Sequence, residues 1–182
     1  PTVTMFEQRV ALLEGAEACY GVASGMAAVY GALACQLKPG DHIVASRALF
    51  GSCYQIITAI LPRFGITYTL VDGNDMDAWQ AAFTTDTKAV FLETPSNPTL
   101  QIVDIAAVGE LAKKHHACFV VDNIFATPIL QRPLTYGADV IVYSGTKHMD
   151  GQGRVLGGAI MSTRRFKNEL LKPFLRHTGP SI

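Results

Sequence analysis

The residues with the most chemical potential sit where apolar runs end. Lys147 follows the run VIVYS (140–144) and opens a polar, glycine-rich stretch, SGTKHMDGQGRVLGG, before the chain turns apolar again. Asp122 ends the apolar run CFVVD (118–122), and Ser24, Gly25 and Met26 follow ACYGV (18–22). Each has an ordinary reading: a solvated loop lysine, a turn carboxylate, a helix cap. In open α/β sheets, however, ligands bind beyond the carboxyl ends of the strands, where all three sets fall. Ser24 is suited to cap a helix. The amides of Gly25 and Met26 would then open it with unpaired N–H groups and a partial positive charge, a setting that receives phosphate. Ser144 and Thr146 beside Lys147 add two hydroxyls to such a cup. Asp122 would be expensive to bury unless a cation or a hydrogen-bond donor received it.

A phosphate cup, a buried acid and a lysine together meet the needs of one cofactor, pyridoxal 5′-phosphate. Its phosphate anchors the ring, a carboxylate keeps the pyridine nitrogen protonated, and a lysine amine condenses with the aldehyde as a Schiff base. A free lysine of pKa ~10.4 is neutral in only a few molecules in ten thousand at pH 7, a handicap that desolvation and the imine remove. The pattern GxxxxGK[ST] is missing and no GxGxxG follows a strand, which argues against the two common nucleotide loops.

The elements that must position these groups alternate. Candidate strands are 18–22, 42–46, 67–71, 89–93, 118–122, 140–144 and 158–162, with helical patterns between them at 25–37, 52–64, 76–83 and 104–116. In the last, Ile105, Val108, Leu111 and Ala112 share a face and Asp104 is placed to cap it. Strands apolar throughout are buried on both faces, so the expected fold is α/β: a three-layer, doubly wound, mostly parallel seven-stranded sheet. Residues 145–157 contain four glycines and no apolar helical period, so they supply no crossover helix. The strand at 158–162 is therefore expected to run antiparallel. Residues 4–15 read as an amphipathic helix at one end, and a helix is expected over about 164–175 at the other.

Composition narrows the classes. A chain of 182 residues with 49% hydrophobic and 16% charged residues is globular rather than disordered. Lys+Arg and Asp+Glu balance at 15 each, which gives no reason to expect nucleic acid as a partner. The cluster Arg164, Arg165, Lys167 and Lys172 is expected to be one wet helix face. Cys19, Cys35, Cys53 and Cys118 have no metal-ligand spacing and read as buried reduced thiols; His115-His116 reads as a helix end rather than a metal site. No signal segment or apolar run of membrane-spanning length is present. The expectation is a cytoplasmic protein with no metal and no membrane partner.

Ser24-Gly25-Met26, ETPSNP (93–98), VVDN (120–123), and SGTK (144–147) followed by DGQGRVLGG (150–158) resemble the Cys/Met-metabolism family of fold type I pyridoxal-phosphate enzymes, in order and over essentially the whole chain. The run DGQGRVLGG, with its Gln152 and Arg154, and SRALFGS (46–52) look most like the O-succinylhomoserine sulfhydrylase branch. The cystathionine synthases and lyases of the family more often carry a Tyr-Gly pair in place of Phe50-Gly51.

The resemblance implies that Lys147 holds the cofactor and shuttles protons and that Asp122 pairs with the pyridinium nitrogen. It implies that Gly25, Met26, Ser144 and Thr146 hold the phosphate, with Ser24 before them. Asn97 would lie near the phenolic oxygen and Phe50 on the ring face. Phe50 has no phenol with which to exchange protons, Gly145 replaces the usual alanine, and His148 stands where tyrosine is frequent. Residues 1–182 correspond to the large cofactor-binding domain, without the N-terminal arm and C-terminal domain of full-length enzymes. Those flanks bring a Tyr/Arg pair from a partner subunit and an arginine for the substrate carboxylate. The implied activity is γ-replacement on an O-acylhomoserine in a homodimer or homotetramer. A cystathionine γ-synthase or a lyase of the same family is an alternative, and an inactive cofactor-binding or dimer-forming fragment is another.

Overall fold

In the computed structural model, which describes residues 2–182, seven strands form one sheet in the order β1-β7-β6-β5-β4-β2-β3. The strands are β1 (Ala18–Val22), β2 (His42–Ser46), β3 (Thr67–Val71), β4 (Thr87–Glu93), β5 (Cys118–Asp122), β6 (Val140–Ser144) and β7 (Gly158–Ser162). β7 pairs antiparallel with both β1 and β6, and every other pairing is parallel. This is the expected α/β sheet with its one reversed strand. Six strands therefore present their carboxyl ends along one edge, and β7 starts there.

Only β4 departs from its expected span, beginning at Thr87 rather than at Ala89. Thr87 carries no apolar signal, yet it is buried because its hydroxyl meets His42 Nδ1 at 2.8 Å and accepts from Thr84 N–H at 2.9 Å.

Helices cover both faces. α1 (Thr2–Glu14), α4 (Met76–Ala82) and α5 (Ile105–Lys114) close a core that contains Trp79, Val108, Phe119, Ile141 and Tyr143. α2 (Gly25–Ala34), α3 (Gly51–Gln55) and α8 (Lys172–Thr178) close the other, with Leu33, Ile43, Phe91, Ile160 and Leu175. Asp104 caps α5 through Ala107 N–H at 3.0 Å, and His115 closes the same helix. α1 stops because Gly15 takes a left-handed φ of 78°.

Two expected helices are less regular than their periodicity suggests. α3 gives way to a π turn at Ile56–Ile60 and a 3-10 turn at Leu61–Phe64. Likewise α7 (Arg164–Phe166) leads through a π turn at Lys167–Leu171 into α8, which ends beyond the expected residue 175. The short α6 (Thr127–Leu130) and a 3-10 turn at Pro133–Tyr136, between β5 and β6, are too brief to show a period in sequence.

The basic cluster is not one wet face. Lys167 turns inward, with Nζ 2.8 Å from Glu7 Oε2, 2.6 Å from Cys19 O and 5.6 Å from the centre of the Tyr20 ring. The cause is Glu7, whose other carboxylate oxygen accepts from Gly21 N–H at 2.8 Å and which needs a cation at this half-buried place. The thiol expectation also needs adjusting. All four cysteines are free, but only Cys19 and Cys53 are fully buried. Burial pushes the Cys19 and Cys35 thiols up to about 12, which keeps them unreactive at neutral pH. Among the described residues no helix is long and apolar enough to cross a membrane.

Candidate active site

The sheet's carboxyl edge gathers the polar residues singled out in the sequence into two adjoining groups. The first surrounds the start of α2. Ser24 caps this helix, its Oγ accepting from Ala27 N–H at 3.1 Å while its carbonyl accepts from Ala28 N–H at 3.0 Å. Of the four amides that open a helix, those of Gly25 and Met26 are left for an outside acceptor.

Gly25 lies directly on Ser144 at the end of β6: a Cβ at residue 25 would sit 2.6 Å from the Ser144 Cβ and 3.1 Å from its Oγ. The chain then crosses to the start of β7. Gly145 N–H donates to Gly157 O at 2.8 Å, and Gly157 N–H donates to Thr146 Oγ1 at 3.2 Å. The Thr146 hydroxyl proton is thus free to point elsewhere. The Gly25 and Met26 amides and the Ser144 and Thr146 hydroxyls thus fall on two adjoining turns, an arrangement that would suit a phosphate.

Lys147 follows Thr146 directly. It sits in a single turn, Gly145–Met149, that its own backbone interrupts at φ −89°, ψ −121°. The expectation that 145–157 forms no crossover helix therefore holds, apart from this one turn. Lys147 is exposed and enters no ion pair among the described residues. Beyond it Asp150 folds the glycine run back, taking Arg154 N–H at 2.7 Å, Gln152 N–H at 3.3 Å and the Arg154 guanidinium at 3.2 Å. His148 meets Phe125 with ring centres 6.0 Å apart, which joins the lysine turn to the loop after Asp122.

The second group centres on Asp122, which is 1% exposed. Its Oδ1 accepts from Ile124 N–H at 3.1 Å, and no cation among the described residues pairs with it. Burial, reinforced by the neighbouring Glu93 carboxylate, pushes the Asp122 carboxyl up to about 8. Such a group awaits a positively charged donor, which is what a pyridinium nitrogen offers; the residues present fit pyridoxal phosphate.

Glu93 lies level with Asp122 in the register of β4 and β5. Its Oε2 accepts from Phe50 N–H at 2.6 Å and its Oε1 from Asn97 N–H at 3.1 Å, so one carboxylate ties together both ring-contact candidates. Phe50 is 41% exposed and Asn97 is half-buried. Met26 and Gly51 share the wall of an apolar cleft of about 590 Å³ with Tyr30 and Ile56, which brings the α2 start beside the α3 start.

Glu93 is the residue that sequence reasoning passed over. It stood inside a quoted motif, and the signal was the same as for Asp122: a carboxylate closing an apolar strand. On the opposite face a further network went unread. Glu14 at the end of α1 is 1% exposed and accepts from Tyr143 O–H at 2.5 Å, while Asn123 donates to the same Tyr143 oxygen. Gln131 then ties Asn123 Oδ1 at 2.7 Å to Thr94 O at 2.9 Å. The carboxyl ends of β4, β5 and β6 are thus tied together through Thr94, Asn123 and Tyr143.

The fold and these residues fit one class, the pyridoxal-phosphate enzymes of Cys/Met metabolism. The whole chain, residues 1–182, matches the Cys/Met metabolism PLP-dependent enzyme family, and it belongs to that family. O-succinylhomoserine sulfhydrylase of Mycobacterium tuberculosis is 53% identical over 182 residues, all of this chain and 45% of that protein. The protein of the same name in Pseudomonas aeruginosa is 44% identical over the same span. L-methionine gamma-lyase of Fusobacterium nucleatum is 40% identical over 171 residues, 93% of this chain and 43% of that protein. Among solved structures, metB from Corynebacterium glutamicum superposes with a TM-score of 0.95 at 40% identity, covering all of this chain and 47% of that one. The chain thus spans less than half the length of the curated relatives it matches.

Proposed function

We propose that this chain is the cofactor-binding domain of a γ-replacement enzyme acting in methionine biosynthesis. It would exchange the acyloxy group of an O-acylhomoserine, O-succinylhomoserine first, for sulfide and so form homocysteine. The observation that carries the cofactor's placement is Asp122, a fully buried carboxylate with no cationic partner among the described residues. The choice of reaction is supported by the 53% identity to a protein named O-succinylhomoserine sulfhydrylase.

The roles on this reading are those the family resemblance implies, and the placement of the residues supports them. The Gly25 and Met26 amides, with the Ser144 and Thr146 hydroxyls, bind the phosphate, and Ser24 fixes the helix start that presents them. Asp122 holds the proton of the ring nitrogen. Phe50 would cover one face of the ring and exclude water, and Asn97 would lie near the phenolic oxygen. Lys147 would hold the cofactor through Nζ and give it up to the substrate amine. Because Phe50 carries no phenol, the freed Lys147 amine takes the proton from the substrate Cα and carries protons onward. Bound pyridoxal phosphate supplies an electron sink conjugated with that carbon, which acidifies the β-carbon and lets the γ-acyloxy group leave.

The working enzyme is a cytoplasmic homodimer or homotetramer on this reading. Exposed Leu12, Ile129, Leu130 and Leu156, each more than half accessible, support a surface that further protein covers. The deciding experiment supplies the full-length enzyme with O-succinylhomoserine and sulfide and identifies the products. Homocysteine and succinate are expected. Formation of 2-oxobutanoate without sulfur incorporation would assign a lyase, and cystathionine formed with cysteine would assign the synthase. Residues 1–182 alone are expected to bind the cofactor weakly without turnover, and measured turnover by them would overturn the domain assignment.

A further inference from the structure

Glu93 belongs to neither the phosphate cup nor the lysine turn, yet it is the point where the rest of the site meets. It is 4% exposed, and both oxygens are spent on backbone amides from two different loops. Phe50 N–H comes from the segment after β2, and Asn97 N–H from the segment after β4 itself. The bond to Phe50, at 2.6 Å, has the length of a charge-assisted one. Among the described residues no other side chain bonds to both the Phe50 and Asn97 amides. The Asn97 loop has its own internal frame, with Ser96 Oγ accepting from Gln101 N–H at 3.0 Å and Thr94 Oγ1 from Val103 N–H at 3.0 Å. That frame fixes the loop's shape but not its distance from Phe50.

We propose that Glu93 is the positioning residue of this site: it sets where the Phe50 ring and the Asn97 side chain stand relative to each other and to Asp122, its direct register partner on β5. The proposal rests on the reading of the site as a pyridoxal-phosphate site. Glu93 touches neither substrate nor cofactor and acts through the two residues it holds. Its carboxyl is pushed up to about 7 by burial, while the two amide bonds pull the other way. Two backbone N–H donors need two acceptor oxygens, which a carboxylate supplies and an amide does not.

A glutamine at 93 offers one carbonyl oxygen and turns an NH2 group toward the other backbone N–H, so one of the two loops is released. The test is a double-substitution cycle in the full-length enzyme, with Glu93→Gln, Phe50→Leu and the pair compared for pyridoxal-phosphate affinity, visible circular dichroism and amide hydrogen exchange. Glu93→Gln is expected to weaken cofactor binding about tenfold, as loss of one charge-assisted bond would. It is also expected to speed exchange at Phe50 or Asn97 N–H and to reduce the dichroism of the bound cofactor. Adding Phe50→Leu is expected to cost less in the Glu93→Gln background than in the parent. Additive effects, or an unchanged dichroism with one amide released, would reduce Glu93 to a loop staple and overturn the proposal. If Glu93→Gln does not fold, Glu93→Asp, which keeps both acceptors one methylene shorter, enters the same cycle. A parent enzyme that binds no pyridoxal phosphate would instead defeat the functional reading itself.

Discussion

Gly25 and Ser144 are in contact over the start of β7, so closely that a methyl group at residue 25 would meet the serine Cβ at 2.6 Å. A second tight place lies beside it, where a Cβ on Gly158 would sit 2.1 Å from the Ser24 carbonyl oxygen. Gly25→Ala meets the Ser144 Cβ at 2.6 Å and its Cα at 3.0 Å beside the proposed phosphate site, and is expected to weaken cofactor binding by tenfold or more with a smaller loss of stability than at Gly158. Gly158→Ala pushes backbone against backbone and is expected to destabilise the fold itself, by about 3 kcal/mol or more. Cofactor titration and thermal melts of the two full-length variants separate these outcomes.

On the proposed reading Lys147 carries the covalent link to the cofactor. In the full-length enzyme, Lys147→Ala is expected to abolish the visible absorbance band of the bound cofactor and all turnover, while leaving the melting temperature of the cofactor-free protein within about 2 °C, because an exposed turn residue contributes little to packing. A retained band would remove the assignment.

Three buried carboxyls give the cofactor-free protein a pH signature. Asp122 is raised from 3.8 to about 8, and Glu93 and Glu14 are each raised from 4.5 to about 7, with burial the first cause in every case. An acid that holds its proton more tightly in the folded state stabilises the fold below its ordinary pKa and loses that contribution as pH rises through the folded value. Melting temperature without cofactor is therefore expected to fall steadily between about pH 4 and about pH 8. Asp122→Asn should flatten the upper part of this slope, and cofactor binding should do the same by giving the ionised carboxylate a cation. A flat profile without cofactor would contradict the burial of all three.

Glu14 can be separated from the other two. One of its oxygens is bonded to Tyr143 and the other, Oε1, has no partner. Glu14→Gln is expected to raise stability at pH 8 by up to about 3 kcal/mol, the equivalent of its raised pKa, with little change at pH 4. Tyr143→Phe leaves Glu14 and Asn123 without their shared partner and is expected to cost about 1–3 kcal/mol at either pH. Denaturant titrations at the two pH values measure both.

Most of the sheet was legible because its strands are apolar on both faces, a pattern that does not depend on what packs against them. The reversed direction of β7 was legible for a negative reason: its approach, residues 145–157, has no helical period. What escaped notice shares a different physics. Glu14, Glu93, Thr87 and Lys167 are polar residues that sequence patterns place outside or leave unremarked, and only the geometry supplies their partners. Lys167 looked like one of four surface cations until Glu7 and the Cys19 carbonyl, both distant in sequence, came within reach of it. In the candidate site, Asp122 and Lys147 stood out by type and place. The brace from Glu93 to Phe50 could not, because it joins a side chain to a backbone amide.

The reversed β7 also orders events in the making of the protein. β1 pairs with no strand other than β7, so Ala18 waits for Ser162 before it can enter the sheet. Closing so long a loop is slow, and everything N-terminal to it must meanwhile hold together through β2 to β6. The Ser24 turn can already pack on β6, since Gly25 lies on Ser144, but its seat against Gly158 forms only at that closure. A chain stalled short of β7 leaves β1 unpaired, so hydrogen exchange at the β1 amides should report that the last strand has docked.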